Sequence, residues 1–321
     1  MSTVMDVAGG DVGGAARWRR ELDRYLAARD GDVTLLGRDR YLTPGWLVRR
    51  EQLARGADRV VAPNNVSFAV AGAHRVVLLR NALHFLYADE AHLLDRMPRS
   101  FRAQVPVVRA LARRAHELVV PCTAMAQRVV HHVPAVADRI AVRPHPISSV
   151  GPRRPADRPT VLVPVVPAPY KNLVSQLRKL LAAADRTGTD LTLRVTARDG
   201  DLPADLEADA RVQRIGIVSH DELTAEWRTA TAVFFPSELE SFGYPLAEAR
   251  AYGLPVIAAD TAQNREIAGG ALVAYTPDSG AGLEEALTRL GEVVEPDGAT
   301  FAPEAYFDWL LGRSTVNGRR N

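Results

Sequence analysis

Two kinds of hydrophobic pattern alternate along the chain. Short apolar runs read as buried strands, and between them lie longer stretches whose apolar positions recur every three or four residues, as on one face of a helix. Residues 3–8 form the first run, Gly9, Gly10, Gly13 and Gly14 the turn after it, and residues 15–28 an amphipathic helix. Further strands are predicted at 33–36, 60–62, 76–79 and 118–120, with helical stretches between them, which is the alternation of a parallel sheet. The string at 143–159, RPHPISSVGPRRPADRP, has five prolines and little apolar content, and it reads as a linker. The alternation then resumes. Strands are expected at 160–166, 191–195, 212–218, 232–235, 255–259 and 272–275, and helices at 173–184, at 246–252 closed by Gly253, and to residue 230 from the capping box Ser219-His220-Asp221-Glu222. A last apolar segment, 301–311, reads as a closing helix. The pattern thus predicts an α/β protein of two doubly wound parallel-sheet domains.

Composition agrees with two domains. At 321 residues, 47% hydrophobic and 24% charged, the chain has the balance of a soluble globular protein with room for two cores. No apolar run approaches the roughly 18 residues of a membrane helix, and the first residues lack a basic segment followed by an apolar one, so a cytoplasmic location is expected. The lone cysteine, Cys122, excludes an intrachain disulfide and reads as a small core residue. The net charge of +2 hides an asymmetry: residues 1–150 hold 22 Arg against 14 acids, and the remainder 18 basic residues against 24 acidic ones. Arg outnumbers Lys 38 to 2, a bias suggesting a high-GC bacterial source. The Arg-rich stretch 96–114 (Arg96, Arg99, Arg102, Arg109, Arg113 and Arg114) is open to two readings, a solvated helix face or a peripheral contact with an anionic membrane surface. Without aromatic interleaving or a nucleic-acid module, no nucleic-acid partner is expected. No His or Cys spacing suggests a metal site, His131 and His132 included, and Asp30-Gly31-Asp32 and Asp199-Gly200-Asp201 read as turns rather than as an Asp-x-Asp metal motif.

Chemistry concentrates in residues 233–260, VFFPSELESFGYPLAEARAYGLPVIAAD, a strand, loop, helix and strand in succession. Ligands of such units sit at the carboxyl ends of the strands, where a helix start presents N–H groups to an anion. Here those amides belong to Phe242, Gly243 and Tyr244, with Ser241 beside them. Glu240 and Glu248 bracket the helix start with seven residues between them; a carboxylate accepts two hydroxyl hydrogen bonds, so the pair suits a ribose on one side and a sugar on the other. The bland alternative is a helix-dipole charge and a solvated loop charge. Lys171 follows the first strand of the second domain, where its ammonium can rest on a diphosphate, and Asn172 is placed to cap the next helix. In the first domain, the loop after residues 76–79 offers Asn81 or His84 to a sugar, a structural histidine being the alternative.

The string PSxxESFGYPLxEAxAxGxPVIAxD resembles the E-x7-E signature of the family 4 (GT4) retaining glycosyltransferases, which have the GT-B fold: two Rossmann-like domains facing across a cleft. The resemblance is sharp over residues 160–277 and loose before them. It implies an acceptor domain at 1–146, a linker at 147–158, a nucleotide-sugar domain at 159–300 and a tail at 301–321 that crosses back to the first domain. It further implies transfer, with retention and without metal or other cofactor, from a UDP-, GDP- or dTDP-sugar donor. Glu240, Lys171 and His84 would then be catalytic. Glu248, Ser241, Phe242, Gly243, Tyr244, Gly216, Gly13, Gly14 and Asn81 would bind the donor, Glu248 at its ribose and Gly216 near its base. Val166 stands where many members carry an Arg, which leaves the diphosphate more dependent on Lys171 and the helix amides. The acceptor expected is a small molecule, a natural product or a sugar, with a lipid-linked or polysaccharide acceptor at a membrane as the alternative. Other readings are a metal-dependent GT-A transferase, a GT-B nucleotide-sugar epimerase and an inactive carbohydrate-binding module.

Overall fold

The computed structural model describes residues 2–10, 13–29, 33–165, 171–237 and 239–313. In chain order the elements are β1 (Thr3–Asp6), α1 (Gly13–Ala27), β2 (Val33–Leu36), α2 (Pro44–Leu53), β3 (Arg59–Ala62), β4 (His74–Leu78), α3 (His92–Asp95), α4 (Arg99–Ala112), β5 (Glu117–Val120), α5 (Thr123–His132) and β6 (Ile140–Val142). There follow β7 (Thr160–Val163), α6 (Leu173–Thr187), β8 (Thr192–Val195), α7 (Ala204–Glu207), β9 (Val212–Arg214), α8 (His220–Thr229), β10 (Ala232–Phe235), α9 (Tyr244–Tyr252), β11 (Val256–Ala259), α10 (Ala262–Ala268), β12 (Leu272–Tyr275), α11 (Leu283–Thr288) and α12 (Pro303–Leu310). They form two compact units, residues 1–146 with 302–321, and residues 147–301.

Each unit is built on one six-stranded parallel sheet, ordered β2-β1-β3-β4-β5-β6 in the first and β12-β11-β10-β7-β8-β9 in the second. Strands buried on both faces read as continuous apolar runs, and β1, β3, β10 and β11 are buried at every residue. Helices cover the sheets through one apolar stripe each. On α1 the stripe is Trp18, Leu22 and Tyr25, and on α6 it includes Leu173, Leu177, Leu180 and Ala184. Two α/β units, each doubly wound, are the architecture that the hydrophobic pattern predicts.

Several boundaries differ from the expectation. Residues 147–158 are not a detached linker but pack on the second unit. The amides of Arg154 and Ala156 donate to the carbonyls of Arg228 and Thr229 at 2.8 and 2.9 Å, and the Arg153 guanidinium donates to the carbonyls of Gly253 and Ala230. Backbone bonds and the Arg153 side chain hold this Pro-rich segment, with Ile147 and Val150 as its buried apolar residues, too few to mark it in a hydrophobicity reading. The strand expected at 212–218 stops at Arg214, because Gly216 turns the chain with φ +76°. β6, α7, α10 and α11 fall outside the elements that the hydrophobic pattern predicts. β6 has three residues, half-exposed at a sheet edge, too little apolar contrast to register. Asn172 precedes α6 in the left-handed conformation (φ 47°) and its side chain makes no capping bond, since the N-cap bond requires extended backbone. The expected turn at Asp30-Gly31-Asp32, the loop at 167–170 and Val166 lie outside the described residues.

The closing helix α12 belongs to the first unit. Phe307 meets Trp18 edge-on at 5.4 Å, the Tyr25 hydroxyl donates to Asp308 Oδ1 at 2.5 Å, and Arg59 Nε caps the helix end by donating to the Leu310 carbonyl at 2.9 Å.

Candidate functional site

The second sheet has the order in which the chain runs outward from β7 through β8 to β9, then returns to place β10, β11 and β12 on the other side. The reversal lies between β7 and β10. Loops leaving the carboxyl ends of these adjacent strands diverge and open a crevice, where doubly wound sheets bind their ligands. Lys171 follows β7, and Glu240 follows β10. The fold brings them together: Lys171 Nζ lies 3.2 Å from Glu240 Oε1, with both side chains mostly covered, at 15% and 22% exposure. A third group fixes the acid. Ser237, 2% exposed, donates from Oγ to Glu240 Oε1 at 3.1 Å.

The loop then turns into α9 through Gly243, whose φ of +77° suits glycine. A Cβ there would stand 2.9 Å from Leu246 Cδ1 and 3.3 Å from Phe235 Cε1, so helix and strand close over the glycine. Pro245 occupies the first turn, where the lack of an N–H costs nothing. Phe242 is buried edge-on against Tyr244 (5.1 Å) and Phe301 (6.2 Å), which anchors the loop beneath the helix start. Glu248 sits on α9 and is buried at 8% exposure, while Ser241 is half-buried. Gly216 lies at the carboxyl end of the edge strand β9. An ammonium, two acids and a helix start with its macrodipole thus gather on one unit, an arrangement fitted to an anion flanked by hydroxyls.

In the first sheet the order reverses between β1 and β3. The carboxyl ends of these strands and of β4 surround a cavity of about 110 Å³, walled by Gly9, Gly10, Asn64, Asn65 and Arg80, with Trp18 and Arg19 of α1. Asn64 and Ala8 link this lining to a buried polar cluster. Asp6, fully buried, accepts from Arg50 NH1 at 2.6 Å, Trp46 Nε1 at 3.0 Å, Asn64 Nδ2 at 3.0 Å and the Ala8 amide at 3.1 Å, so the buried charges of Asp6 and Arg50 compensate each other. Asn65, left-handed at φ 69°, accepts the Arg80 amide on its side-chain oxygen.

The residues singled out from sequence in this unit occupy other positions. Gly13 and Gly14 open α1 and are exposed, while Gly9 and Gly10 line the cavity. Asn81 accepts the Leu83 amide at 3.0 Å and so caps a 3-10 turn. His84 ends that turn at 3% exposure, stacked on Phe101 at 5.0 Å, and neither ring nitrogen has a hydrogen-bond partner among the described residues. Burial, and then the charge of Arg109, lower its pKa to about 4, so the ring is neutral near pH 7. Sequence reasoning passed over Ser237, Arg19, Asn64, Asn65 and Arg80 as site residues; the pair Asn64-Asn65 just after an apolar strand was the available signal. Arg96, Arg99, Arg113 and Arg114 are exposed at and beyond the ends of α4, Arg102 and Arg109 half-buried along it. Asp199-Gly200-Asp201 is a turn: Asp201 accepts the Arg198 amide and Asp199 pairs with Arg214.

Residues 165–292 match the family model "Glycosyl transferases group 1". A stretch of 109 residues is 38% identical to a D-inositol 3-phosphate glycosyltransferase of Mycolicibacterium gilvum (strain PYR-GCK), covering 32% of this chain and 23% of that protein; the chain thus matches about a quarter of the relative's length. Among solved structures, Anabaena Alr3699/HepE in complex with UDP-glucose is similar at a TM-score of 0.66 with 15% identity over 96% of this chain and 95% of that one. WaaG, a glycosyltransferase involved in lipopolysaccharide biosynthesis, is similar at 0.63 with 16% identity over 95% of each chain. The fold is that of the GT-B glycosyltransferases. Among the described residues, no helix is long and apolar enough to cross a membrane.

Proposed function

We propose that the protein is a retaining, metal-independent glycosyltransferase of the GT4 kind, which binds a nucleoside-diphosphate sugar on its second unit and transfers the sugar to a hydroxyl of a small acceptor held by the first. One observation carries this reading: Lys171 and Glu240 meet at the switch point of the second sheet, beside the start of α9. As the bond from the anomeric carbon to the diphosphate oxygen breaks, negative charge grows on the leaving group. The Lys171 ammonium and the first-turn amides of α9 stabilise that charge in place, with no solvent reorganisation. The acceptor oxygen forms the new bond to the anomeric carbon, and its proton passes to the departing diphosphate. Glu240, held by Ser237, hydrogen-bonds the transferred sugar as its oxocarbenium character develops, and Glu248 accepts from the ribose. The match over residues 165–292 and the UDP-glucose bound to a protein of the same fold support the donor class.

A panel of UDP-, GDP- and dTDP-sugars, scored by thermal stabilisation of the full chain, tests the reading. One donor at 100 times its Kd should stabilise by about 2.7 kcal/mol. Glu248→Ala should weaken nucleoside diphosphate binding by roughly 10- to 150-fold, while Glu240→Ala spares that binding and lowers kcat by a similar factor. If no nucleoside diphosphate stabilises the protein, the proposal fails; if the donor is converted without any acceptor, the epimerase reading replaces it.

A second reading, a lipid-linked or polysaccharide acceptor met at a membrane face, is favoured by exposed Arg99, Arg113 and Val107 on or next to α4. Co-sedimentation with anionic vesicles, lost in Arg99→Glu/Arg113→Glu, would select it.

A further inference from the structure

We infer that Phe301 is a positioning residue of the proposed donor site: its ring sets Phe242, and through Phe242 the turn into α9, while Arg250 holds the ring in place. The inference rests on the transferase reading for the ligand, and on contacts within the second unit for the mechanism. Phe301 lies beyond residues 165–292, the part of the chain that matches the family model, and the hydrophobic pattern assigns it to the closing helix. The structure makes it instead the last residue of the second unit, at the end of the 3-10 turn Ala299–Phe301. The turn that it supports needs an anchor. Residues 240–243 lie between β10 and α9 outside any helix or strand, so no ladder of backbone bonds fixes them, and Gly243 is left-handed at φ +77°. Phe242, 2% exposed, pins this turn by its side chain. A row of three rings runs through it. Phe301 meets Phe242 edge-on at 6.2 Å and 72°, Phe242 meets Tyr244 at 5.1 Å and 85°, and Tyr244 is the first residue of α9. Edge-to-face contacts fix orientation as well as distance, and a close-packed interior passes a displacement on to the next ring.

Phe301 is held in its turn from the last turn of α9. The Arg250 guanidinium lies over the Phe301 ring at 5.5 Å and donates from Nε and NH2 to Asp297 Oδ2 at 3.1 and 2.6 Å. Its NH1 donates to the carbonyls of Glu266 and Ile267 at 3.2 and 3.3 Å, so the rigid fork ties α9, the end of α10 and the segment 297–301 together. Asp297 accepts the Thr300 amide at 3.3 Å and hydroxyl at 2.9 Å, and its own amide donates to the Arg250 carbonyl at 3.0 Å. The Ile147 amide donates to the Phe301 carbonyl at 2.9 Å, which joins the residue where the chain enters the unit to the one where it leaves. Both ends of α9 therefore bear on one aromatic side chain: the first turn through Phe242, the last through Arg250. In the transferase reading the amides of that first turn receive the diphosphate, and their placement then depends on Phe301.

Calorimetry of UDP, GDP and dTDP with the full chain, beside steady-state kinetics with the donor that the panel identifies, tests the inference. Phe301→Leu keeps an apolar side chain and removes the edge-on contact. It should weaken the preferred nucleoside diphosphate by roughly tenfold, the worth of one loosened amide bond to a charged oxygen. It should lower kcat by at least as much, since a misplacement of about 1 Å can cost about 10²-fold. Arg250→Lys, which keeps the charge without the fork, should fall between Phe301→Leu and the wild type. Leu287→Val, a truncation of the buried core on α11, should leave the diphosphate affinity unchanged. In a Phe242→Leu background Phe301→Leu should have little further effect on that affinity, because the two rings act in series. Should Phe301→Leu fail to fold, Arg250→Lys decides, alone and in the Phe242→Leu background. Wild-type affinity and kcat in the variant that folds overturn the inference. So does an equal loss in Leu287→Val, for general loosening then explains it, or a loss undiminished by Phe242→Leu, for the effect then bypasses that ring. A wild-type chain that binds none of the three diphosphates sinks the transferase reading, and the positioning role with it.

Discussion

The two units share an architecture and differ in how their sites are written. In the second, Ser237, Glu240, Phe242, Gly243 and Glu248 come from one short segment, joined by Lys171 from the neighbouring strand. In the first, the cavity draws on residues 7–10, α1, residues 63–65 and Arg80. The settings differ as well: the second unit sets an ammonium against a carboxylate at the crevice, whereas in the first the ion pair Asp6–Arg50 is wholly buried. A site that holds both charge signs can grip a diphosphate and hydroxyls together. The proposed function places chemistry on the second unit and the acceptor on the first, and substitutions can test that division.

The largest expected effect is on chemistry. Lys171→Met removes a preorganised charge and should lower kcat by about 10²- to 10³-fold, while the first unit's affinity for an acceptor stays within a factor of two or so, a split read by steady-state kinetics. Equal loss of acceptor affinity would blur the division. Because Lys171 also pairs with Glu240, the double variant Lys171→Met/Glu240→Gln should lose less than the sum of the single losses.

Next in size is a pH effect confined to the first unit. His84 titrates near 4 in the fold and near 6.5 when unfolded, so between those values the unfolded chain binds the extra proton. Stability is complete above about pH 6.5 and declines as the pH falls toward 4, by on the order of 3 kcal/mol in all. His84→Phe, which keeps the stack on Phe101, should flatten the decline seen by urea unfolding, leaving the part due to His145, His132 and His116, which burial also holds below the ordinary histidine range. An unchanged slope would mean that another group governs it. Nucleoside diphosphate affinity of the second unit should not follow the His84 titration.

The smallest effect compares two glycines. Gly243→Ala and Gly13→Ala both force an L-residue into left-handed backbone, at about 1–2 kcal/mol each. Only the former also drives a Cβ into Leu246 and Phe235, whereas nothing lies within 4 Å of a Cβ at Gly13. Gly243→Ala should therefore shift the start of α9 and weaken nucleoside diphosphate binding several-fold, with Gly13→Ala neutral in the same titration. Equal binding losses would show that the helix start does not position the diphosphate.

By itself the sequence determined what depends on neighbours within a turn or a strand. Continuous apolar runs specify strands buried on both faces, and the alternation of runs with helical stripes specifies two doubly wound sheets. Ser219 and Glu222 form the capping box that their spacing announces, the serine amide donating to the glutamate at 2.7 Å. The turn of β10 into α9 was legible for the same reason, since strand, glycine turn, helix and both acids fall within one contiguous segment. Tertiary structure alone decided what depends on contacts far apart along the chain. It attached 147–158 to the second unit mainly through backbone and Arg153 bonds that carry no hydrophobic signature, and set α12 against Trp18 and Tyr25 of the first. It buried His84, which the sequence offers as a loop residue, because Phe101 of α4 folds over it. It joined Lys171 to Glu240, and gathered Arg19, Asn65 and Arg80 around one cavity, because strand order makes neighbours of loops that the sequence separates, and strand order is settled only when the whole sheet packs.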